Sequence, residues 1–329
     1  MPTASRAVAR RPAWISPCID TGSNIGTDNQ PRSIALQDIQ DSQFDSLLPP
    51  LMLSRRGFIA TSVGAGFTLA AGHAAAQTAI HTGAAGLTAG MVQISTADGP
   101  MPAYRAAPAG KKNLPVILVV EEIFGVHEYV QDVCRRLAHL GYLAVAPELF
   151  ARYGDPAKYS DMAMLRAEVV DKASDAQVAS DLDATAKWAL AQGGSAAKMG
   201  VIGFCWGGRQ VWLYAMHNPN LKAAAVFYGP LAGQPTAQQP ASVLSQVDKV
   251  QVPVLAAYGG KDAGISMSDI DKMRASLAQG TAMDKACRID VYPDAGHGFH
   301  ADYRSSYNKA DAELAWKRAM DWFASHGLN

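Results

Sequence analysis

Three residues of the sequence could together carry out nucleophilic catalysis: Cys205, Asp262 and His297. A thiol becomes a strong nucleophile when a neighbouring base takes up its proton, and a histidine base works best when a carboxylate orients its ring. The chain order is nucleophile, acid, histidine. The set therefore predicts covalent catalysis by a cysteine, provided that the fold brings the three side chains together.

Cys205 is the third residue of the sequence GFCWGG (203–208), between a predicted strand and a predicted helix. So tight a turn strains the backbone of its central residue, and the glycines let neighbouring elements approach without a Cβ clash. The thiol is then raised above the sheet, where the helix N-terminus favours the thiolate. On the motif alone, a buried structural cysteine is an equally good interpretation; the later loops favour the nucleophile.

Asp262 follows the predicted strand 254–258 directly, and His297 lies in the loop between the last predicted strand and the final helix. Taken singly, a turn-forming aspartate or a loop histidine without a role would be the commoner interpretation. The joint pattern reverses both. Asp294 is the rival acid, because it lies near His297 in sequence, but the glycine-rich turn before Asp262 favours Asp262.

Two other histidines compete with His297. His217 stands at a predicted helix end before Asn218 and Pro219, where a cation suits the helix dipole. His300 is kept as a residue that supports the site from behind. We therefore predict His297 as the base.

Continuous apolar runs predict the elements that must position these loops, because strands buried on both faces lack alternation. Apolar residues at helical spacing, such as Val130, Val133, Leu137 and Leu140, predict crossover helices between them. A hairpin of residues 91–94 and 101–105 opens the domain. The runs thus predict a mostly parallel central sheet with helices on both faces and a site beyond the carboxyl ends of the strands. The chain order of nucleophile, acid and histidine is that of α/β-hydrolases, so we predict an α/β-hydrolase fold. The runs are 116–120, 142–146, 199–204, 223–227, 254–258 and 288–292.

Composition narrows the classes of function. The 329 residues carry no formal net charge, and no stripe of Lys and Arg marks a predicted helix, so we expect no nucleic-acid or membrane-surface partner. The four cysteines are scattered without a C-x-x-C pair, which argues against a zinc knuckle or a redox pair. A small neutral or acidic molecule is the expected substrate.

Residues 52–76 resemble a twin-arginine export signal, with Arg55 and Arg56 before a short Gly/Ala-rich apolar run. Small residues at 74–76 predict cleavage before Gln77 and a periplasmic or secreted protein. The alternative is a membrane anchor, but the run is short and weakly apolar. Residues 1–51 are predicted to be unstructured or untranslated, with Met52 as the start, and residues 77–329 to form one domain.

From about residue 90 onward the sequence resembles the dienelactone hydrolase family, also called carboxymethylenebutenolidases. The resemblance rests on four motifs: EEIFG (121–125), GFCWGG (203–208), GKD (260–262) and GHGF (296–299). It implies hydrolysis of a lactone or small ester through a thioester on Cys205, without a metal or organic cofactor. It also implies that His297 activates the attacking water while Asp262 holds the imidazole tautomer.

The resemblance assigns further residues. Glu122 would be a fourth participant that accepts the thiol proton when substrate arrives, although by itself it reads as a helix-start carboxylate. The backbone N–H groups of Ile123 and Trp206 would form the oxyanion hole. Arg152 resembles one of two arginines that hold the substrate carboxylate in the family.

The expected place of the second arginine, four residues after His297, is Ala301 here, and the nearest candidate is Arg304. Another lactone or a small ester is therefore open as substrate. Two alternatives remain: a broad carboxylesterase or thioesterase with the same three residues, and a non-catalytic binding protein on the same fold. An arginine lining the pocket would favour an anionic substrate; arginines pointing to solvent would favour a neutral ester.

Overall fold

The computed structural model describes residues 79–329. The predicted leader (52–76) and residues 1–51 lie outside the described residues, so export and processing stay predictions. Within 79–329, no helix combines the length and the apolar character that crossing a membrane would require.

An antiparallel hairpin opens the described chain, as predicted. Strand β1 (Leu87–Thr96) pairs along its whole length with β2 (Gly99–Pro108), and β1 forms one edge of the sheet. β2 leaves the turn at Gly99, where φ is 115°, a conformation that glycine adopts without a Cβ clash. The hairpin joins the rest of the sheet through antiparallel pairing of β2 with β4.

The other six strands are parallel to their neighbours among themselves. They are β3 (Leu114–Val120), β4 (Leu143–Pro147), β5 (Gly194–Phe204), β6 (Ala223–Phe227), β7 (Val254–Gly259) and β8 (Arg288–Tyr292). The strand order over the described residues is β1-β2-β4-β3-β5-β6-β7-β8. Every residue of β4, β6 and β7 is buried, and since successive side chains point to opposite faces, both faces of the sheet are covered.

Seven α-helices of the described chain connect or cover the strands. They are α1 (Glu128–His139), α2 (Met162–Glu168), α3 (Asp175–Ala191), α4 (Trp206–His217), α5 (Met267–Gln279), α6 (Ala282–Ala286) and α7 (Lys309–Ser325). Ser174, Ser266 and Asn308 cap α3, α5 and α7 through side-chain oxygens that accept backbone N–H groups. Short 3₁₀ turns occur at Pro156–Lys158, Val170–Lys172 and Leu244–Lys249.

Two expectations about burial were wrong in detail. We expected 288–292 to be a buried strand, but β8 is the other edge of the sheet, and only Tyr292 in it is buried. An edge strand has a neighbour on one side only, so its side chains keep contact with water. Leu140 was assigned to the apolar face of α1, yet it follows the last helical residue and is 55% exposed, because the chain turns away at Gly141, where φ is 100°.

The strand order places the site. β4 pairs with one edge of β3, and β5 pairs with the opposite edge of β3. Loops that leave the carboxyl ends of β3 and β5 therefore diverge and leave a crevice, which is where open α/β sheets bind ligands. The β3 loop carries Glu122 and Ile123, and β5 ends directly before Cys205.

Candidate active site

Cys205 occupies the sharp turn between β5 and α4. Its backbone adopts φ 53° and ψ −122°, a strained conformation for a non-glycine residue. The turn is fixed by backbone hydrogen bonds: the Cys205 N–H donates to the Phe227 carbonyl at 3.0 Å, and the Gly208 N–H donates to the Cys205 carbonyl at 2.9 Å. Strain held in this way lifts the side chain to the N-terminus of α4, as the motif predicted.

Gly207 shows why this turn needs glycine. A Cβ added there would lie 2.2 Å from the Glu121 carbonyl oxygen and 2.5 Å from the Val120 carbonyl oxygen, which are backbone atoms that cannot rotate away. α4 can therefore pack against the end of β3 only without a side chain at position 207.

Replacing Gly207 with alanine is expected to lower the free energy of unfolding by roughly 3 kcal/mol, because the clash forces the backbone apart. The matched control is Gly233→Ala, where an added Cβ meets nothing within 4 Å and the expected change is about 0.5 kcal/mol or less. Urea unfolding of both variants measures the difference. Equal stabilities would show that the turn tolerates a methyl group.

The structure brings the three predicted side chains together. His297 Nε2 lies 3.1 Å from Cys205 Sγ, and His297 Nδ1 lies 2.8 Å from Asp262 Oδ2. The other Asp262 oxygen accepts the backbone N–H groups of Gly264 at 2.9 Å and Ile265 at 3.1 Å. The carboxylate is therefore held on both sides, and only one orientation of the imidazole satisfies it.

Two glycines bring the loops of Asp262 and His297 into contact. A Cβ on Gly259 would lie 2.5 Å from the Ala295 carbonyl oxygen, and one on Gly260 would lie 2.8 Å from the Pro293 carbonyl oxygen. Asp294, the rival acid, points elsewhere: its exposed carboxylate pairs with Lys261 at 2.8 Å. The geometry thus selects Asp262 as the partner of His297.

The electrostatics of His297 favour its protonated form. Burial opposes a charge on the ring, but Cys205 and Asp262, one on each nitrogen, outweigh burial and raise the pKa of His297 above its ordinary value. A histidine so placed holds a proton readily when the thiol gives one up. The arrangement can therefore sustain a thiolate beside an imidazolium.

Glu122 lies completely buried in the loop after β3. Its Oε2 accepts a hydrogen bond of 2.5 Å from the Tyr303 hydroxyl and lies 3.1 Å from Arg304 Nη2. Its Oε1 has no hydrogen-bond partner among the described residues. A buried carboxylate with one oxygen unoccupied is poised to accept a further donor.

Of the two arginines predicted to bind substrate, Arg304 is the one that the structure places next to Glu122 and Tyr303. It is 3% exposed, its Nε donates to the Tyr303 hydroxyl at 3.0 Å, and its guanidinium carbon lies 5.6 Å from the centre of the Phe124 ring. Within residues 79–329, neither Nη1 nor Nη2 makes a hydrogen bond of good geometry, although Nη2 is paired with Glu122 by charge. Burial opposes the charge of the guanidinium, but the charges of Glu122, Tyr303 and Cys205 outweigh burial and raise the pKa of Arg304.

Arg152 is engaged elsewhere. Its Nη1 and Nη2 donate to the two oxygens of the buried Asp181 at 2.5 Å and 3.0 Å. Since a carboxylate of the protein already occupies the planar fork, a substrate would have to compete with Asp181. The role predicted for Arg152 stays a prediction.

The backbone groups predicted for the oxyanion hole lie in the expected elements. Trp206 is the first residue of α4, where N–H groups have no helical acceptor, and Ile123 lies between β3 and α1. The Trp206 indole packs against Phe150 with ring centres 4.6 Å apart and ring planes tilted by 45°. Its Nε1 is buried without a hydrogen-bond partner in the described chain.

The competing histidines have other partners. His217 is the last residue of α4, and its Nε2 lies 2.8 Å from the carboxylate of Asp183 in α3. His300 is buried, and its Nδ1 lies 2.6 Å from the Tyr129 hydroxyl. Burial, aided by the charge of Arg136, lowers the pKa of His300 to about 3, so the ring is neutral. Neither histidine contacts Cys205.

Sequence reasoning missed two tyrosines of the site. Tyr303 bonds Glu122, and the Tyr228 ring centre lies 5.2 Å from that of His297. Tyr228 directly follows β6, so the rule that sites lie beyond the carboxyl ends of strands could have found it. Tyr303 had no such signal. No group of three His, Cys, Asp or Glu side chains in the described part of the chain could hold a metal ion.

Most of the chain is similar in sequence to known proteins. The model of the dienelactone hydrolase family matches residues 101–327. A provisionally named carboxymethylenebutenolidase of Methylorubrum extorquens is 50% identical over 289 residues, which cover 88% of this chain and 98% of that protein. A protein of the same name from Escherichia coli K12 is 44% identical over 270 residues, which cover 82% of this chain and 98% of that protein.

A solved structure gives the same result. The crystal structure of a provisionally assigned dienelactone hydrolase from Klebsiella pneumoniae is 47% identical and superposes with a TM-score of 0.70, covering 72% of this chain and 98% of that one. The strand order and the strand-end loops described above are consistent with this relationship. The chain therefore belongs to the dienelactone hydrolase family and is an α/β-fold hydrolase of carboxylic esters or lactones.

Proposed function

We propose that this protein hydrolyses a carboxylate-bearing lactone through a cysteine nucleophile and a thioester intermediate. The observation that carries the proposal is the continuous contact from Cys205 Sγ through His297 to Asp262, at 3.1 Å and 2.8 Å, on a strained turn. It is tested by hydrolysis of p-nitrophenyl acetate and of a dienelactone by the unchanged protein and by a Cys205→Ala variant. We expect the variant to show no turnover above background.

The first half of the reaction breaks the lactone. Cys205 Sγ, whose proton has passed to Glu122, attacks the carbonyl carbon beside the protonated His297. The oxyanion accepts hydrogen bonds from the N–H groups of Ile123 and Trp206. Each such donor contributes on the order of a hundredfold in rate. Collapse expels the alkoxide or enolate, which takes the proton held by His297 Nε2. The product of this half is a thioester on Cys205.

The second half returns the enzyme. Neutral His297 removes a proton from water, and the hydroxide oxygen attacks the thioester carbonyl. The C–S bond then breaks and the thiolate leaves. It takes back the proton held by Glu122 as the product departs, and the carboxylic acid product loses its own proton to solvent. Asp262 keeps Nδ1 protonated throughout, so that Nε2 faces the reacting atoms.

Arg304 supplies the reason for preferring a carboxylate-bearing substrate. A buried guanidinium that is paired with Glu122, and whose N–H groups lack well-directed acceptors, suits an incoming carboxylate. When that carboxylate binds, it competes with Glu122 for Arg304. Glu122, released from its ion pair, can then accept the thiol proton, which couples thiol ionisation to the arrival of substrate.

Arg304→Gln is expected to raise KM for a carboxylate-bearing dienelactone about a hundredfold, because the bound carboxylate loses a charged partner. Hydrolysis of p-nitrophenyl acetate, which has no carboxylate, should change far less. Steady-state kinetics on both substrates measure the difference, with circular dichroism confirming that the variant is folded.

The matched control is Arg152→Gln, which removes an arginine that pairs with Asp181. We expect its KM for the dienelactone to stay within about threefold of the unchanged protein. If Arg152→Gln raised KM and Arg304→Gln did not, the substrate carboxylate would be held at Arg152 and this assignment would be overturned.

A further inference from the structure

A buried charged network lies on α1, behind the site. Asp132 is completely buried and its Oδ2 accepts Arg136 Nε at 2.5 Å; Arg136 Nη2 in turn donates to Asp302 Oδ2 at 2.5 Å. Asp302 is 1% exposed. The network thus ties α1 to the loop that follows His297.

The first described residues of the chain close this network. We call residues 80–83 the N-terminal strap. The Ile80 N–H faces the Asp302 carboxylate. Thr82 donates to Asp132 through both its N–H and its hydroxyl. Arg135 Nε donates to the Thr82 carbonyl at 2.7 Å.

The end of the strap is fixed as well. The Gly83 carbonyl lies 2.8 Å from His139 Nε2, at the last residue of α1. The strap is therefore bound through its backbone at Thr82 and Gly83, although the Ile80 side chain is 42% exposed. Hydrogen bonds to backbone groups hold a segment in place independently of the side chains that it exposes.

Asp302 is next in sequence to the two residues that hold Glu122. The Tyr303 hydroxyl and Arg304 Nη2 both contact Glu122 Oε2, and the Arg304 N–H donates to the Ala301 carbonyl in a tight turn. Since Asp302 lies inside that turn, a shift of its backbone also moves Arg304, and the ion pair of Asp302 with Arg136 opposes such a shift. The Tyr129–His300 contact ties the same loop to α1.

We propose that Asp302, held by Arg136 and by the N-terminal strap, is a positioning residue that sets Arg304 for the substrate carboxylate. The inference rests on the proposed function, since it assigns a purpose to the placement of Arg304. It gives the segment before β1 a part in substrate specificity, although that segment lies outside the central sheet. A misplacement of about 1 Å at a binding group can cost about a hundredfold in rate, so such support has a measurable effect.

The test compares Ile80→Pro with Ile80→Ala in the full chain. Proline removes the N–H that faces the Asp302 carboxylate, whereas alanine keeps that N–H and removes only an exposed side chain. For Ile80→Pro we expect KM for a carboxylate-bearing dienelactone to rise about tenfold, with kcat/KM for p-nitrophenyl acetate within about twofold of the unchanged protein. Ile80→Ala should match the unchanged protein on both substrates. Asp302→Asn, which weakens the pairing with Arg136, should repeat the Ile80→Pro result.

The readouts separate positioning from simple stability. If the variants lower activity on both substrates equally, or leave KM for the dienelactone unchanged while folded, the positioning role is overturned and the proposed function stands. If the unchanged protein shows no Cys205-dependent turnover of either substrate, the proposed function fails, and the inference fails with it. A rise in KM confined to the carboxylate-bearing substrate supports both.

Discussion

Replacing Cys205 with alanine should lower kcat for p-nitrophenyl acetate and for a dienelactone by about 10⁴-fold or more. Loss of the nucleophile from a cooperating set of three removes covalent catalysis entirely, so only binding and the oxyanion donors remain. Cys205 is 3% exposed, and the substitution removes only its sulfur atom. We therefore expect the variant to keep the fold. Initial rates over a wide range of enzyme concentration measure the residual activity.

Cys287→Ala is the matched control, because Cys287 is also a free cysteine and its partly buried thiol lies near the Met283 carbonyl, away from the site. It should keep kcat within about twofold of the unchanged protein. If Cys205→Ala retained a substantial fraction of kcat while Cys287→Ala did not, the nucleophile would have been assigned to the wrong thiol.

Asp262→Asn carries the second largest expected effect, a fall in kcat of about 10³-fold to 10⁴-fold. The amide is close in shape to the carboxylate, but it carries no charge to stabilise the imidazolium and can leave His297 in the wrong tautomer. The backbone N–H groups of Gly264 and Ile265 would still hold the amide oxygen in place. The loss therefore reports chemistry at His297 rather than unfolding.

Asp294→Asn is the control for this change, because Asp294 lies three residues before His297 but pairs with Lys261 at the surface. We expect its kcat to be within about twofold of the unchanged protein. Melting temperatures of both variants show whether folding is intact. Equal losses in the two variants would mean that the loop, and not the Asp262 carboxylate, determines activity.

The sequence was sufficient for most of the fold. Runs such as 223–227 and 254–258 are apolar at every position, and the structure makes them central strands buried on both faces. The rule did not apply to 288–292, because Arg288 and Asp290 interrupt that run, and the strand lies at an edge of the sheet. Leu140 failed for a similar reason: the spacing fits a helix, but Gly141 ends it.

Local sequence also predicted some residues of the site and missed others. Cys205, Asp262 and His297 could be found because each lies just past a strand end, a position that local sequence reveals. The contact of Tyr303 and Arg304 with Glu122 spans about 180 residues of chain, and no local pattern signals it. Likewise, Arg152 matched a motif, but its pairing with Asp181 depends on how α3 packs.

The most direct test of the central claim is to look for the acyl group on Cys205. The protein is mixed with excess p-nitrophenyl acetate, quenched in acid within milliseconds to seconds, and digested for peptide mass spectrometry. We predict an acetyl group on the Cys205 peptide and not on those of Cys134 or Cys287, released by neutral hydroxylamine as a thioester should be. Rapid turnover with no acyl group on Cys205 at any quench time, or an acyl group on another residue that forms and decays at the rate of turnover, would contradict the account.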